Sequence, residues 1–394
     1  MKKLLVAAAL VLAACAKSPP PPDLGYGANP QLPQPEADGA IPTLNAATAI
    51  GWPDDAAPVA PAGFVVTRYA ENLTHPRWLY VLPNGDVLVA ESSTTPSQGG
   101  VMAWIRNGVQ RRAGAIAENA NRVTLLRDTD RDGDVDERHV FAENLNQPFG
   151  MVLVGGHIYI GNTDAVVRFP YVAGAVRVNG AGETVLRIPY NEGSNGHWTR
   201  NLVANADGSK IYVAVGSVSN AGDEGMEVEE GRAAIWEFNP DGSDARIYAS
   251  GLRNPVGMGW APGTNALWVA VNERDMIGDN LVPDYMTSVQ DGGFYGWPYY
   301  YFGDNRDERV EIPTNVRLRA PLAPDYALGS HTASLGLGFY TAAAFPEQYR
   351  GGAFVGQHGS WNRSVPSGYK VIFVPFANGV PNGAPQDFLT GFLD

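Results

Sequence analysis

The sequence predicts an all-β propeller, and three observations carry that prediction. From Gly63 onward, short apolar runs alternate with Gly, Asn, Asp and Pro turns, and no sustained 3.6-residue period appears. The runs recur as similar units, the mark of a repeat architecture. Each unit reads as a four-stranded meander, A to D, with a turn into the next, which is a propeller blade. A β-sandwich is the alternative, and unit-to-unit repetition argues against it.

At the N-terminus, Lys2-Lys3 precede an apolar run from Leu4 to Ala14. That run is too short to span a membrane and reads as a signal segment. Leu12-Ala13-Ala14-Cys15 resembles a bacterial lipoprotein box, so residues 1–14 read as a signal peptide and Cys15 as the lipidated first residue. A periplasm-facing lipoprotein of the cell envelope, held to the membrane only by its anchor, is the expectation. An ordinary cleaved signal with a chance cysteine is the plainer alternative. With one cysteine, an internal disulfide is excluded. Residues 15–62 are rich in Pro, Ala, Asn and Gly and read as a semi-rigid tether.

Residues 63–394 form the propeller domain. Tyr69 to Pro76, Phe141 to Pro148 and Tyr248 to Pro255 are three similar blocks, each leading into an A strand and then a B strand. Two less regular copies start near Asn201 and Leu335. Five A strands are expected, near residues 78, 149, 202, 256 and 336. Phe64 to Tyr69 reads as a lone D-type strand. Gly391-Phe392-Leu393 falls where Gly251-Leu252-Arg253 falls, just before an A strand. The expectation is a six-bladed propeller truncated within its last blade.

In such a meander the D-to-A turns and B-to-C loops share one face, around the central channel. His197, Arg200, Arg253, Asn254 and His331 fall in D-to-A turns. Glu273-Arg274-Asp275 and Gln357 to Arg363 follow B strands. Nearly every unusual polar residue is therefore expected on one face. Asp128, Asp130, Asp132 and Asp134 fall in a C-to-D turn on the opposite face. Their spacing, with Gly133 at position six, resembles a calcium loop. Position twelve is His139, and no helices flank it, so a structural calcium turn and a solvated acidic loop both remain open. The net charge of −13 and the lack of a basic stripe argue against nucleic acid as a partner.

Gly251-Leu252-Arg253-Asn254-Pro255, Asn272 to Asp275, Gly292-Gly293-Phe294-Tyr295-Gly296-Trp297-Pro298 and His358 to Ser364 together resemble the soluble glucose/sorbosone dehydrogenase family, closest to its sorbosone branch. Members are six-bladed propellers using pyrroloquinoline quinone (PQQ) and Ca²⁺. The resemblance implies a dehydrogenase oxidising an aldose or sugar aldehyde by hydride transfer to the quinone. By that resemblance His197 is the general base, and Arg253 and Asn254 contact the quinone edge. Carbonyls of Glu273, Arg274 and Asp275 hold the calcium, and Arg363 meets a cofactor carboxylate. The family's carboxylate that orients the base has no clear match in Val215-Gly216-Ser217; Asp223 is the candidate substitute.

The chemistry agrees. Oxidation at a sugar C1 needs a base that titrates near working pH. A tricarboxylate cofactor needs cations, and Arg200, Arg253, Arg274 and Arg363 fall on the expected face. Arg253 would also stabilise charge developing on the quinone oxygen. His331 and Trp361 are candidate substrate residues. Phe294 to Phe302 reads as packing rather than as a sugar platform. Two other functions stay in view: a metal-dependent propeller lactonase, with Glu91, Asn162 and Asn272 converging on an axial Ca²⁺, and a non-catalytic binding propeller. The electron acceptor is unknown.

Overall fold

The computed structural model describes residues 25–36, 43–53, 56–98, 100–191, 195–314 and 317–393. The signal segment and Cys15 lie outside the described residues. Among those described, five four-stranded antiparallel blades follow one another in chain order. Blade 1 comprises Pro76–Val81, Val87–Glu91, Arg122–Arg127 and Glu137–Ala142. Blade 2 comprises Met151–Val154, His157–Gly161, Ala165–Pro170 and Glu183–Arg187. Blade 3 comprises Leu202–Ala204, Ile211–Val215, Ala234–Phe238 and Arg246–Ser250. Blade 4 comprises Asn254–Trp260, Leu267–Asn272, Pro283–Ser288 and Tyr326–Ser330. Blade 5 comprises Ser334–Phe339, Ala353–Gln357, Lys370–Val374 and Gln386–Leu389. The expected five A strands are the five inner strands.

Blades pack face to face through apolar side chains that alternate along their strands. Leu88, Val123 and Phe141 of blade 1 meet Ile158 and Ile160 of blade 2. Tyr159 and Val166 of blade 2 meet Ile211 and Val213 of blade 3. Ala214 and Ile235 of blade 3 meet Val269 and Val271 of blade 4, and Trp268 and Met286 of blade 4 meet Val355 and Ile372 of blade 5. Truncating one of these large side chains to Ala costs about 2–5 kcal/mol. Inner strands converge on the axis, and glycine lets them. A Cβ on Gly257 would lie 2.4 Å from the Leu337 backbone nitrogen.

Three elements differ from expectation. Phe64 to Tyr69 forms no strand. Phe64 instead packs edge-on against Phe345, Tyr349 and Phe388 on blade 5. Residues expected to be a tether are docked. Tyr26–Gly27 adds an edge strand to blade 4. Further on, Glu36 N donates to Ile277 O, Asn45 N to Trp361 O, Ala49 N to Arg112 O, and Val59 pairs with Thr390. Isolated backbone bonds of this kind need no apolar period, so the sequence gives no sign of them. Finally, Gly100–Arg112 in the blade 1 B-to-C loop is a helix. Its apolar face is weak and it contains Gly108. It is held by tertiary contacts, including reciprocal bonds between Asn107 and Ser97 of 3.0 and 2.9 Å.

Candidate functional site

Each D-to-A turn meets its own blade's B-to-C loop, so the expected sorting of faces holds. The His75 ring bonds Ser92 O and Gly114 O. His197 bonds Ser217, Arg253 bonds Glu273 O, and Ala333 O and Thr332 O accept from His358 N and Gly359 N; His331 reaches across to Asp275 of the blade 4 loop. This ring of turns is where the candidate residues gather.

His197 Nδ1 lies 3.0 Å from both the carbonyl and the hydroxyl oxygen of Ser217. The Ser217 hydroxyl donates to Ser219 O at 2.7 Å, so both Ser217 oxygens act as acceptors towards the ring. Nδ1 therefore carries the proton, and Nε2 keeps its lone pair. Nε2 has no hydrogen-bond partner among the described residues, and the side chain is half-buried on the channel wall. Burial, reinforced by the Arg253 charge, lowers the His197 pKa to about 3. This imidazole is neutral, and it titrates well below working pH rather than near it as the sequence leads one to expect, because the site is buried and faces Arg253. The Ser217 loop is itself pinned: the buried Glu229 carboxylate accepts from Val218 N and from the backbone and hydroxyl of Ser219. Asp223, the candidate orienting carboxylate, is exposed and closes its own turn on Ala221 N. Serine does that work through short local bonds.

Gly216 sits between two candidates. A Cβ there would lie 2.5 Å from both the Asn254 Oδ1 and the His197 Cβ. Asn254 Nδ2 donates to Asn272 Oδ1, and its Oδ1 is buried without a partner. Arg253 is buried and uses its whole fork: Nε to Asn220 O, Nη1 to Glu273 O and Asn272 O, Nη2 to Asn220 Oδ1 and Asp275 Oδ2. Its nearest task here is to shape the 272–275 loop.

The arginines divide. Arg200, expected to meet the cofactor, is fully enclosed and donates to the carbonyls of His197, Thr199 and Pro189. It braces the turn behind His197 and presents no charge to the channel. Arg274 is buried against Asp307. Arg363 is half-buried, with Nη2 on Asn280 Oδ1 and Nε unpartnered. Arg77, which sequence reasoning missed, starts the blade 1 inner strand. Its guanidinium lies 5.2 Å over the Trp198 ring, and it has no hydrogen-bond or ion-pair partner among the described residues. Burial lowers its pKa to about 10, so it stays charged. Its place at the start of an A strand, beside Pro76, was the signal available.

The other candidates are accounted for as follows. His331 is not a substrate group: Nδ1 bonds Asp275 Oδ1 and Nε2 bonds Gly278 O, both oxygens being acceptors. Burial opposes its charge, but the Asp275 hydrogen bond wins and raises its pKa. For Asp275, burial pushes upward, and the bond from His331 with the Arg253 charge holds it below its ordinary value. Trp361 is 39 % exposed and its carbonyl accepts from Asn45. Tyr295, Trp297, Tyr299 and Tyr301 are buried, as packing requires.

The organic anion fits this face: Arg77 and Arg363 have unpartnered guanidinium N–H groups there. A calcium at residues 273–275 does not. The Glu273 carbonyl accepts from the Arg253 guanidinium, whose charge opposes a cation, and the Asp275 carbonyl accepts from Asn220 and Arg274. On the opposite face, Asp128, Asp130 and Asp136 bring carboxylate oxygens within 4.8 Å of one another. Asp132 and Asp134 are not in that group; Asp132 instead caps Asp134 N. Two members of the lactonase set are engaged elsewhere, while Asn162 Oδ1 is buried with no hydrogen-bond partner among the described residues. Glu91 is buried and ion-paired to Arg122 at 2.9 Å, and Asn272 donates to Ser334 O.

A family model described as TrAA12-like matches residues 58–283 and 318–391. A Trichoderma reesei carbohydrate-active enzyme of family AA12, solved as a calcium structure, superposes with a TM-score of 0.65 at 20% identity, covering 85% of this chain and 87% of that one. The holo PQQ domain of a Coprinopsis cinerea pyranose dehydrogenase gives 0.65 at 20%, over 85% and 86%. Both likenesses show the fold. The aldose sugar dehydrogenase YliI of Escherichia coli K12 is 31% identical over 116 residues, 29% of each chain.

Proposed function

This chain belongs to the TrAA12-like family, and from that membership we propose that it is a sugar oxidoreductase that oxidises an aldose or sugar aldehyde with PQQ. The observation that carries the reading is the neutral His197, whose Nε2 lone pair has no hydrogen-bond partner among the described residues. When bound, the quinone supplies a two-electron acceptor for the substrate hydride. His197 takes the proton from the hydroxyl on the carbon being oxidised, and Ser217 holds the ring in the tautomer that can do so. Arg77 and Arg363 bind carboxylates of the cofactor. Asn254, with one free carbonyl oxygen, orients a polar edge beside His197. Arg253 keeps the 272–275 loop in shape and contributes positive potential. Calcium in the fungal relative's structure favours a metal as well, but no step is assigned to one at residues 273–275.

Apo-protein is titrated with PQQ, and reduction of an artificial electron acceptor is followed with glucose and with an aldehyde sugar. Saturable quinone binding with sugar-dependent turnover is expected. Absence of both overturns the reading. An envelope location through lipid at Cys15 is proposed with it; radiolabelled palmitate should enter the wild type and not Cys15→Ser. No helix among the described residues is long and apolar enough to cross a membrane.

A further inference from the structure

A cleft opens beside His197, between the blade 1 helix and the turn entering blade 3. Its cavity volume is about 100 Å³, and it opens to solvent. Gly196 and Trp198, the chain neighbours of His197, form one wall. Gln110 and Arg106 of the helix Gly100–Arg112 form the other, with Thr95 and Tyr190 at the rim. We propose that this cleft is a second sugar subsite, which takes a neutral, hydroxyl-rich ring linked to the ring being oxidised. The proposal rests on the oxidoreductase reading above and extends it from one sugar to an oligosaccharide.

The chemistry of the lining points this way. Among the described residues, the polar lining is amide, hydroxyl and guanidinium, with no carboxylate. Amide, hydroxyl and guanidinium groups match sugar hydroxyls, which both donate and accept. Gln110 Oε1 is buried with no hydrogen-bond partner among the described residues, an acceptor in the wall. Tyr190 is 39 % exposed and offers an aromatic face to the C–H face of a ring.

The cleft is also built rather than incidental. Trp198 Nε1 donates to Thr94 Oγ1 at 3.1 Å, tying the two walls together. Gln147 Nε2 donates to Ser93 O at 2.8 Å beneath them. Paired bonds between Asn107 and Ser97 fix the helix to its entry loop. Its C-terminal end is held by the docked N-terminal segment, through Arg112 Nε to Thr48 Oγ1 at 2.8 Å and Ala49 N to Arg112 O at 3.0 Å. Side chains fixed in this way lose little freedom when a ring docks.

Binding is tested on full-length apo-protein by calorimetry with sorbitol, maltitol and cellobiitol, which lack an oxidisable anomeric carbon. At least one disaccharide alditol should bind about tenfold or more tighter than sorbitol, and Gln110→Ala or Tyr190→Ala should remove most of that preference. Thr95→Ala, on the exposed rim, guards against misfolding of the first two and should weaken the disaccharide alditol in the same direction. In the PQQ-loaded enzyme, kcat/KM for maltose or cellobiose relative to glucose should fall in parallel. Equal binding of sorbitol and both disaccharide alditols, or a preference untouched by all three variants, overturns the subsite. If the preference is present but no sugar is oxidised, the subsite stands and the oxidoreductase reading fails.

Discussion

His197 Nδ1 donates to two oxygens of one residue, the carbonyl and the hydroxyl of Ser217, both at 3.0 Å. A serine loop pinned by Glu229 thus supplies the orientation that a carboxylate would otherwise supply. The difference is electrostatic. A carboxylate partner would raise the imidazole pKa, whereas neutral acceptors in a buried setting leave it low.

This arrangement fixes the pH behaviour of the base. A histidine whose folded pKa is about 3 stays neutral down through the acid range. The kcat/KM profile should therefore be level between about pH 5 and 7, with no acid limb near the ordinary histidine value of about 6.5. The same depression means that protonation favours the unfolded chain, so this group costs stability progressively as pH falls below about 6.5. His197→Gln should flatten that part of the stability curve and lower turnover by about 10²–10⁴. An acid limb near pH 6.5 in wild-type kcat/KM would contradict the assignment.

Ser217→Ala removes one of the two acceptors and leaves the carbonyl. The tautomer survives while the ring loses part of its restraint. A fall in kcat of about tenfold is expected, with quinone affinity unchanged, because one hydrogen bond of this kind is worth about 0.5–1.5 kcal/mol. A loss as large as that of His197→Gln would mean that Ser217 does more than position.

Among the described residues Arg77 makes no hydrogen bond or ion pair, and its guanidinium stacks on Trp198. Arg77→Met keeps that apolar contact and removes the charge. PQQ affinity should drop by at least about tenfold, as expected for a charge-assisted hydrogen bond, while the thermal midpoint moves little. Unchanged quinone binding would remove Arg77 from the site.

The His331–Asp275 pair should show in stability. The folded pKa of His331 is raised, so its contribution is complete below about pH 6.5 and is lost as pH rises through the folded value. The folded pKa of Asp275 is depressed, so its contribution is present above about pH 3.9 and is lost as pH falls. Arg253 and Asp284 also act on these groups. His331 has φ +59°, so His331→Asn tolerates the backbone while discarding the cation. Thermal denaturation of that variant should be less dependent on pH between about 6 and 8 than wild type.

Asn362 staples the N-terminal segment to two blades, donating to Thr43 O at 2.7 Å and accepting from Met276 N at 2.8 Å. Asn362→Ala should cost about 1–3 kcal/mol and speed limited proteolysis in residues 43–53. Equal cleavage rates would show that the segment is held by its other bonds alone.

The sequence by itself determined the meander, the five inner strands and the face on which the polar residues gather. Alternation of apolar and turn residues is local information, and a blade's strand order then dictates which turns share a face. His197 and Asn254 were placed together in this way, and Gly216 lies between them. What depends on the tertiary structure is where each side chain's donors and acceptors end. Arg200, Arg253 and Arg77 all lie near the starts of inner strands, yet one is enclosed by carbonyls, one is saturated by a loop and one has no hydrogen-bond partner among the described residues. Residue type and turn position alone do not separate them: Arg200 folds back on the carbonyls of its own turn, whereas Arg253 reaches Asn220 of the blade 3 loop and the 272–275 loop. The same holds for Ser217 as the orienting group, for His331 as half of an ion pair, and for the docked N-terminal segment. In each case the deciding bonds join residues beyond any local turn, and only the folded backbone brings them within hydrogen-bonding distance.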